Sequence, residues 1–105
     1  MIFYIAHIRG GGENGRYWYE AEGKYLMKRN TFSDFVACAE MLVEKKITSP
    51  KIMSCEGRSA GGLLMGNVIN MRPDLFKCAV AGVPFVDLMV TMCDPSIPLT
   101  TNECT

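Results

Sequence analysis

Gly57-Arg58-Ser59-Ala60-Gly61 constrains this chain more than any other stretch. It has the pattern G-x-S-x-G, and it stands between a short apolar run ending at Cys55 and a longer apolar run reaching Met71. That setting predicts a sharp turn from a strand into a helix, with the serine at its apex. Gly57 and Gly61 are expected where bulkier side chains would clash. The turn lifts the Ser59 hydroxyl out of the sheet. It also aims the N–H of Ala60 at the point where negative charge would develop on an attacked carbonyl oxygen. The helix start behind the serine adds partial positive charge. The plain alternative is a glycine-rich turn with an idle serine, and the flanking strand and helix favour the nucleophile.

The remaining elements supply a matching frame. Residues 2–8 are short, aromatic and β-branched, and predict a strand buried on both faces, as in parallel sheets. Residues 9–29 contain five glycines and read as a long loop with about one helical turn. Apolar groups at Phe32, Phe35, Val36, Ala39, Leu42 and Val43 predict a helix over 31–46 with one buried stripe. Thr31 and Asp34 resemble a capping box at its start, and Lys45 and Lys46 suit its negative end. A second strand is expected over 51–55, a second helix over 59–71 and a third strand over 77–82. A weaker helix is expected over 86–92, and 94–105 read as irregular. Gly61, Gly62 and Gly66 within the second helix predict close approach to neighbouring strands.

Strands alternating with helices imply a parallel sheet. With G-x-S-x-G at a strand-to-helix turn, the fold class is α/β, a partial α/β-hydrolase fold. Strand carboxyl ends share one edge of such a sheet, and ligands bind there. The glycine loop after Ile8, the Ser59 turn and Val83-Pro84-Phe85 are therefore expected to converge.

Composition narrows the partners. A chain of 105 residues makes about one domain. With 49% hydrophobic and 21% charged residues it is globular rather than disordered. Eleven basic residues balance eleven acidic ones, which leaves no basic field for nucleic acid or an anionic membrane surface. The five cysteines (38, 55, 78, 93 and 104) form no Cys-x-x-Cys pair, and His7 is the one histidine. Neither a zinc site nor a disulfide framework is expected, and the thiols read as buried or free in a reducing compartment. The apolar runs fall well short of the ~18 residues of a membrane span. No signal-peptide pattern opens the chain. Met1 leads directly into an apolar run, which reads as a piece of something larger.

Two further features compete for a role. Gly10-Gly11-Gly12-Glu13-Asn14-Gly15 fits the dinucleotide pattern G-x-G-x-x-G. No clear helix is expected at its last glycine, and the acid that follows, Asp34, falls in a helix rather than at a strand end. A flexible loop at the rim of the site, or a purely structural loop, is preferred. His7 precedes Ser59, whereas the hydrolase order is serine, acid, histidine. It reads as a satisfied histidine at a strand end. Asp74, Asp87 and Asp94 follow the serine without a clear claim to be the triad acid. A serine mechanism would then take its base from outside these residues.

Seven segments carry a family resemblance: Ile8-Arg-Gly-Gly-Gly-Glu13, Gly23-Lys-Tyr-Leu26, Lys28-Arg-Asn-Thr-Phe-Ser-Asp-Phe35, Glu56-Gly-Arg-Ser-Ala-Gly-Gly62, Met71-Arg-Pro-Asp-Leu-Phe76, Ala81-Gly-Val-Pro-Phe-Val-Asp87 and Asp94-Pro-Ser-Ile-Pro-Leu-Thr100. Together they closely resemble the oligopeptidase B enzymes of the prolyl oligopeptidase family of serine peptidases. The resemblance implies a cytoplasmic enzyme whose β-propeller admits short peptides to an α/β-hydrolase domain. Residues 1–105 would be the central part of that catalytic domain. Ser59 aligns with the nucleophile and the N–H of Ala60 with one oxyanion donor. The second donor, a tyrosine hydroxyl, is expected upstream of residue 1, and the triad Asp and His beyond residue 105. Phe85 aligns with an aromatic of the pocket before the scissile bond. Glu103 aligns with the first of two acids holding Arg or Lys there, and Thr105 stands where the second would be. No cofactor is implied. The resemblance thus implies a serine endopeptidase cutting after Arg or Lys, with the chain inactive alone. The alternatives are prolyl specificity, against which Ala60 argues because those relatives usually carry Asn there, and a non-catalytic fragment or isoform.

Overall fold

The computed structural model describes residues 1–84, 86–87, 93–94 and 96. Its elements run α1 (Arg16–Glu20), a 3-10 turn (Tyr25–Met27), α2 (Arg29–Glu44), β1 (Ser54–Arg58), α3 (Ala60–Met71) and β2 (Cys78–Gly82). β1 and β2 pair in parallel with Ser54 opposite Cys78 and Arg58 opposite Gly82, and α3 connects them. The partial α/β-hydrolase architecture expected from the sequence is present in this β-α-β unit.

Packing explains the layers. Val36 and Ala39 of α2 meet Leu64, Met65 and Val68 of α3 in one core with Met53, Cys55 and Leu75. Met65 and Val68 are fully enclosed. The Phe35 and Phe76 rings sit 6.0 Å apart beside this core. Arg72, at the end of α3, forks onto Asp74 at 3.0 and 3.1 Å and also pairs with Glu40 of α2, tying the two helices. Because side chains alternate along a strand, Cys55 points into the core. Ser54, Glu56 and Arg58 lie on the opposite face, exposed beside Cys78 and Val80.

Several boundaries differ from the sequence reading. Residues 2–8 form no strand, and Ile2, Phe3, Tyr4 and Ile5 are exposed. A strand exists only when a neighbour takes its backbone groups, and among the described residues none lies beside this run. The strand expected over 51–55 begins at Ser54. The N–H groups of Ile52 and Met53 are held by the Ser49 carbonyl in the turn around Pro50. Gly57 and Arg58 belong to the strand instead. The third strand starts one residue later than expected, at Cys78.

The helix expected over 31–46 is α2, two residues nearer the N-terminus, with Lys45 as its C-cap. No capping box forms. Thr31 lies inside the first turn, buried, and its hydroxyl donates to the Arg9 carbonyl at 2.5 Å. A helix does open at the last glycine of the G-x-G-x-x-G pattern, contrary to expectation, with Gly15 as N-cap at φ 97°. It is only five residues long and follows no strand, so the dinucleotide arrangement is still absent. The helix expected over 86–92 lies outside the described residues apart from Val86 and Asp87, which are not helical. Residues 94–105 likewise lie outside, save Asp94 and Ser96.

Candidate active site

Ser59 stands one residue beyond the last rung of the ladder, Arg58 opposite Gly82. Its backbone has φ 54° and ψ −116°, a region that residues with a Cβ rarely enter. Three contacts hold it there. The Ser59 N–H donates to the Gly82 carbonyl at 3.0 Å, and the Ser59 carbonyl accepts from the N–H groups of Gly62 and Leu63 at 2.8 and 3.2 Å. The side chain is exposed, and among the described residues its hydroxyl has no hydrogen-bond partner. Ala60 is the first residue of the twelve-residue α3, and its N–H takes no backbone acceptor among the described residues. Among the described residues the turn therefore presents an unpartnered hydroxyl and an unpartnered amide side by side at a helix start.

The glycines divide their duties unevenly. A Cβ on Gly57 would run into the Gly61 carbonyl, as the motif requires, whereas one on Gly61 would meet nothing within 4 Å. The approach to strands expected of the three helical glycines holds only in part, because Gly61 makes none and Gly62 and Gly66 are met mainly by the segment that follows β2. A Cβ on Gly62 would fall 2.8 Å from the Pro84 Cα, and one on Gly66 would fall 3.1 Å from a Val86 methyl.

Of the three loops expected to converge, two do. The Gly82–Pro84 segment contacts the serine turn directly. The glycine loop shares no hydrogen bond or ion pair with it among the described residues. It is tied instead to α2 and to residues 17–22. Arg9 donates to both Asp34 carboxylate oxygens at 2.9 and 2.8 Å and to Glu22 at 3.1 Å, while its own N–H reaches Asp34 at 2.9 Å. The Arg9 side-chain hydrogen bonds hold the Asp34 carboxyl below its usual range, against the opposing cost of burial. Sequence reasoning missed this clasp because Asp34 was assigned to a helix cap. Its signal was an arginine at the mouth of a glycine loop, where a cation needs a partner. An open cleft of about 510 Å³ is lined by Gly10, Gly11, Gly12, Arg16 and Tyr19, and by no residue of the serine turn.

His7 is exposed, with Nδ1 3.5 Å from a Glu13 oxygen. Cys38, Cys55, Cys78 and Cys93 are free thiols, Cys78 and Cys93 exposed. Burial, and secondarily the neighbouring Cys78, push the Cys55 thiol up to about 11. Among the described residues no group of three acids, cysteines or histidines could hold a metal. No described helix is long and apolar enough to cross a membrane. Phe85 and Glu103 lie outside the described residues, as do Cys104 and Thr105.

Residues 1–105 match the prolyl oligopeptidase family along their whole length. The chain belongs to the prolyl oligopeptidase family. Within it, the chain is similar to oligopeptidase B from Trypanosoma brucei, with 72% identity and a TM-score of 0.88 over 92% of this chain and 14% of that one. It is 55% identical over 103 residues to Protease 2 from Moraxella lacunata, covering 98% of this chain and 15% of that protein. It is 50% identical over 88 residues to a prolyl endopeptidase from Dictyostelium discoideum, covering 84% of this chain and 11% of that protein. The chain thus spans between 11% and 15% of the length of these family members. As a prolyl oligopeptidase segment it has the α/β-hydrolase frame, and its serine turn lies at the carboxyl edge of that frame's sheet.

Proposed function

We propose that this segment carries the nucleophile of a serine endopeptidase acting on short peptides. The observation that carries the reading is the Ser59 turn itself, a strained backbone whose hydroxyl and neighbouring Ala60 N–H have no hydrogen-bond partner among the described residues. Backbone strain of this kind persists where the surroundings enforce it, and it clusters at catalytic sites. The T. brucei relative is described with covalently bound antipain, which fits a nucleophile that forms a covalent bond.

In the complete peptidase, a histidine from another segment takes the Ser59 proton as Oγ attacks the peptide carbonyl. The oxyanion rests on the Ala60 N–H and on a tyrosine hydroxyl supplied from outside this segment. Collapse releases the amine with the proton returned by the histidine, and water then hydrolyses the acyl-enzyme. Phe85 lines the pocket for the residue before the scissile bond, and Glu103 holds a basic side chain there. Residues 1–105 form the central part of the catalytic domain, which a propeller shields. The free thiols suit a reducing compartment such as the cytosol. The likeness to prolyl endopeptidases supports prolyl specificity as a second reading; Ala60, where those enzymes usually have Asn, favours the basic one.

The test is a fluorophosphonate probe and a basic peptide substrate applied to the complete peptidase and its Ser59→Ala variant. Labelling is expected at Ser59 and nowhere in the variant. Turnover should fall about as far as loss of a whole triad would take it, with product-like inhibitors still bound. A fall of less than about tenfold in kcat, or about 1.4 kcal/mol in barrier, would remove Ser59 from the chemistry.

A further inference from the structure

We infer that Gly82, at the end of β2, is a positioning residue for Ser59. The inference rests on the reading of Ser59 as a nucleophile and adds what sets its geometry. β1 and β2 finish on the same rung, Arg58 opposite Gly82, and on both strands the next residue turns into positive φ, Ser59 at 54° and Val83 at 45°. A β-branched residue such as Val83 is a genuine outlier there. Strands that bend together at one rung point to a shared constraint, and Gly82 is where the contacts meet.

Gly82 acts on the turn in two ways. Its carbonyl holds the Ser59 N–H at 3.0 Å. Its missing side chain leaves room for the Arg58 stem, because a Cβ on Gly82 would lie 2.9 Å from the Arg58 Cγ and 3.5 Å from its Cδ. Below the turn, the same carbonyl would stand 3.3 Å from a Cβ on Gly62, and Pro84 closes against Gly62 from the other side of the Val83 bend. The serine is therefore gripped by the end of β2 through its amide, its preceding residue and the first turn of its helix.

The Arg58 Cγ is the root of the stem and not its flexible end, so it clears the site only by a change of χ1 rotamer or a shift of the backbone. Alanine at Gly82 would push the stem and carry the Arg58 backbone with it, and Ser59 is the next residue. The Gly82 φ is not positive, so alanine introduces no backbone strain of its own. The harm must pass through Arg58, which makes it reversible by removing the stem.

The experiment compares Gly82→Ala, Arg58→Ala, the double variant and Ser59→Ala in the complete peptidase, with kcat, KM and Tm measured for each. Gly82→Ala is expected to lower kcat about tenfold or more, since small displacements of a nucleophile are costly, while KM changes by less than about threefold. The double variant should recover most of the lost kcat. A Gly82→Ala enzyme within about twofold of the parent, or a loss that Arg58→Ala does not relieve, overturns the inference. Should Gly82→Ala fail to fold, the double variant decides alone: near-parental kcat supports the role, and low kcat overturns it. Turnover in Ser59→Ala would instead overturn the nucleophile reading, whereas an inactive Ser59→Ala beside an unaffected Gly82→Ala removes only the role of Gly82.

Discussion

Ser59 keeps an unfavourable backbone through its hydrogen bonds to Gly82, Gly62 and Leu63, and this shows what a motif can encode. Gly57 was legible in the sequence as a position with no room for a side chain. Gly82 was not, since its necessity arises from the Arg58 stem on a neighbouring strand rather than from any local pattern. Glu103 stands at the other limit, assigned by resemblance alone. A shielded carboxylate can take an Arg guanidinium through two parallel hydrogen bonds, a geometry that Lys cannot match. Glu103→Gln in the complete peptidase is therefore expected to lower kcat/KM for Arg substrates about tenfold or more, with little change for a neutral residue at that position. Thr105→Glu should raise the preference for Arg. Equal losses on basic and neutral substrates would assign Glu103 to structure.

At the scale of elements, α2, α3 and β2 were legible because each carries its own apolar period and its own punctuation, Pro50, Pro73 and Pro84. Residues 2–8 carry an equally clear strand pattern, yet no strand forms, because pairing is a property of two segments and the sequence of one cannot supply it. The Arg9–Asp34 clasp has the same non-local character, joining residues 25 positions apart. It also titrates. The Asp34 carboxyl is held below its usual range in the fold, so the clasp contributes its stability above the ordinary carboxylate pKa of about 3.9 and loses it as pH falls further. Asp34→Asn should therefore lower Tm at neutral pH and flatten the dependence of Tm on pH below about 4. A variant whose acid limb parallels the parent's would show that the clasp adds nothing.

For the whole molecule, the exposed apolar surface matters most. Ile2, Phe3, Ile5, Ile52, Val80, Val83 and Val86 are all more than half exposed or at half, between 50% and 82%. With the two strand edges, they form surface that a soluble domain normally covers. The 105-residue chain alone is expected to associate with itself and to hydrolyse no peptide, since among the described residues no base is hydrogen-bonded to Ser59. Stoichiometric fluorophosphonate labelling at Ser59, with turnover, would overturn that expectation. The ladder described above also bears on the order of assembly during synthesis. Its two strands are separated by the helix that packs on them and the short connection over 72–77, so every contact of the β1–α3–β2 unit closes over a short stretch of chain, the kind of closure that forms early. That unit can condense as it leaves the ribosome, whereas the apolar run at residues 2–8, made first, must wait for a neighbour. The Ser59 turn would then be shaped before the segments that come to surround it.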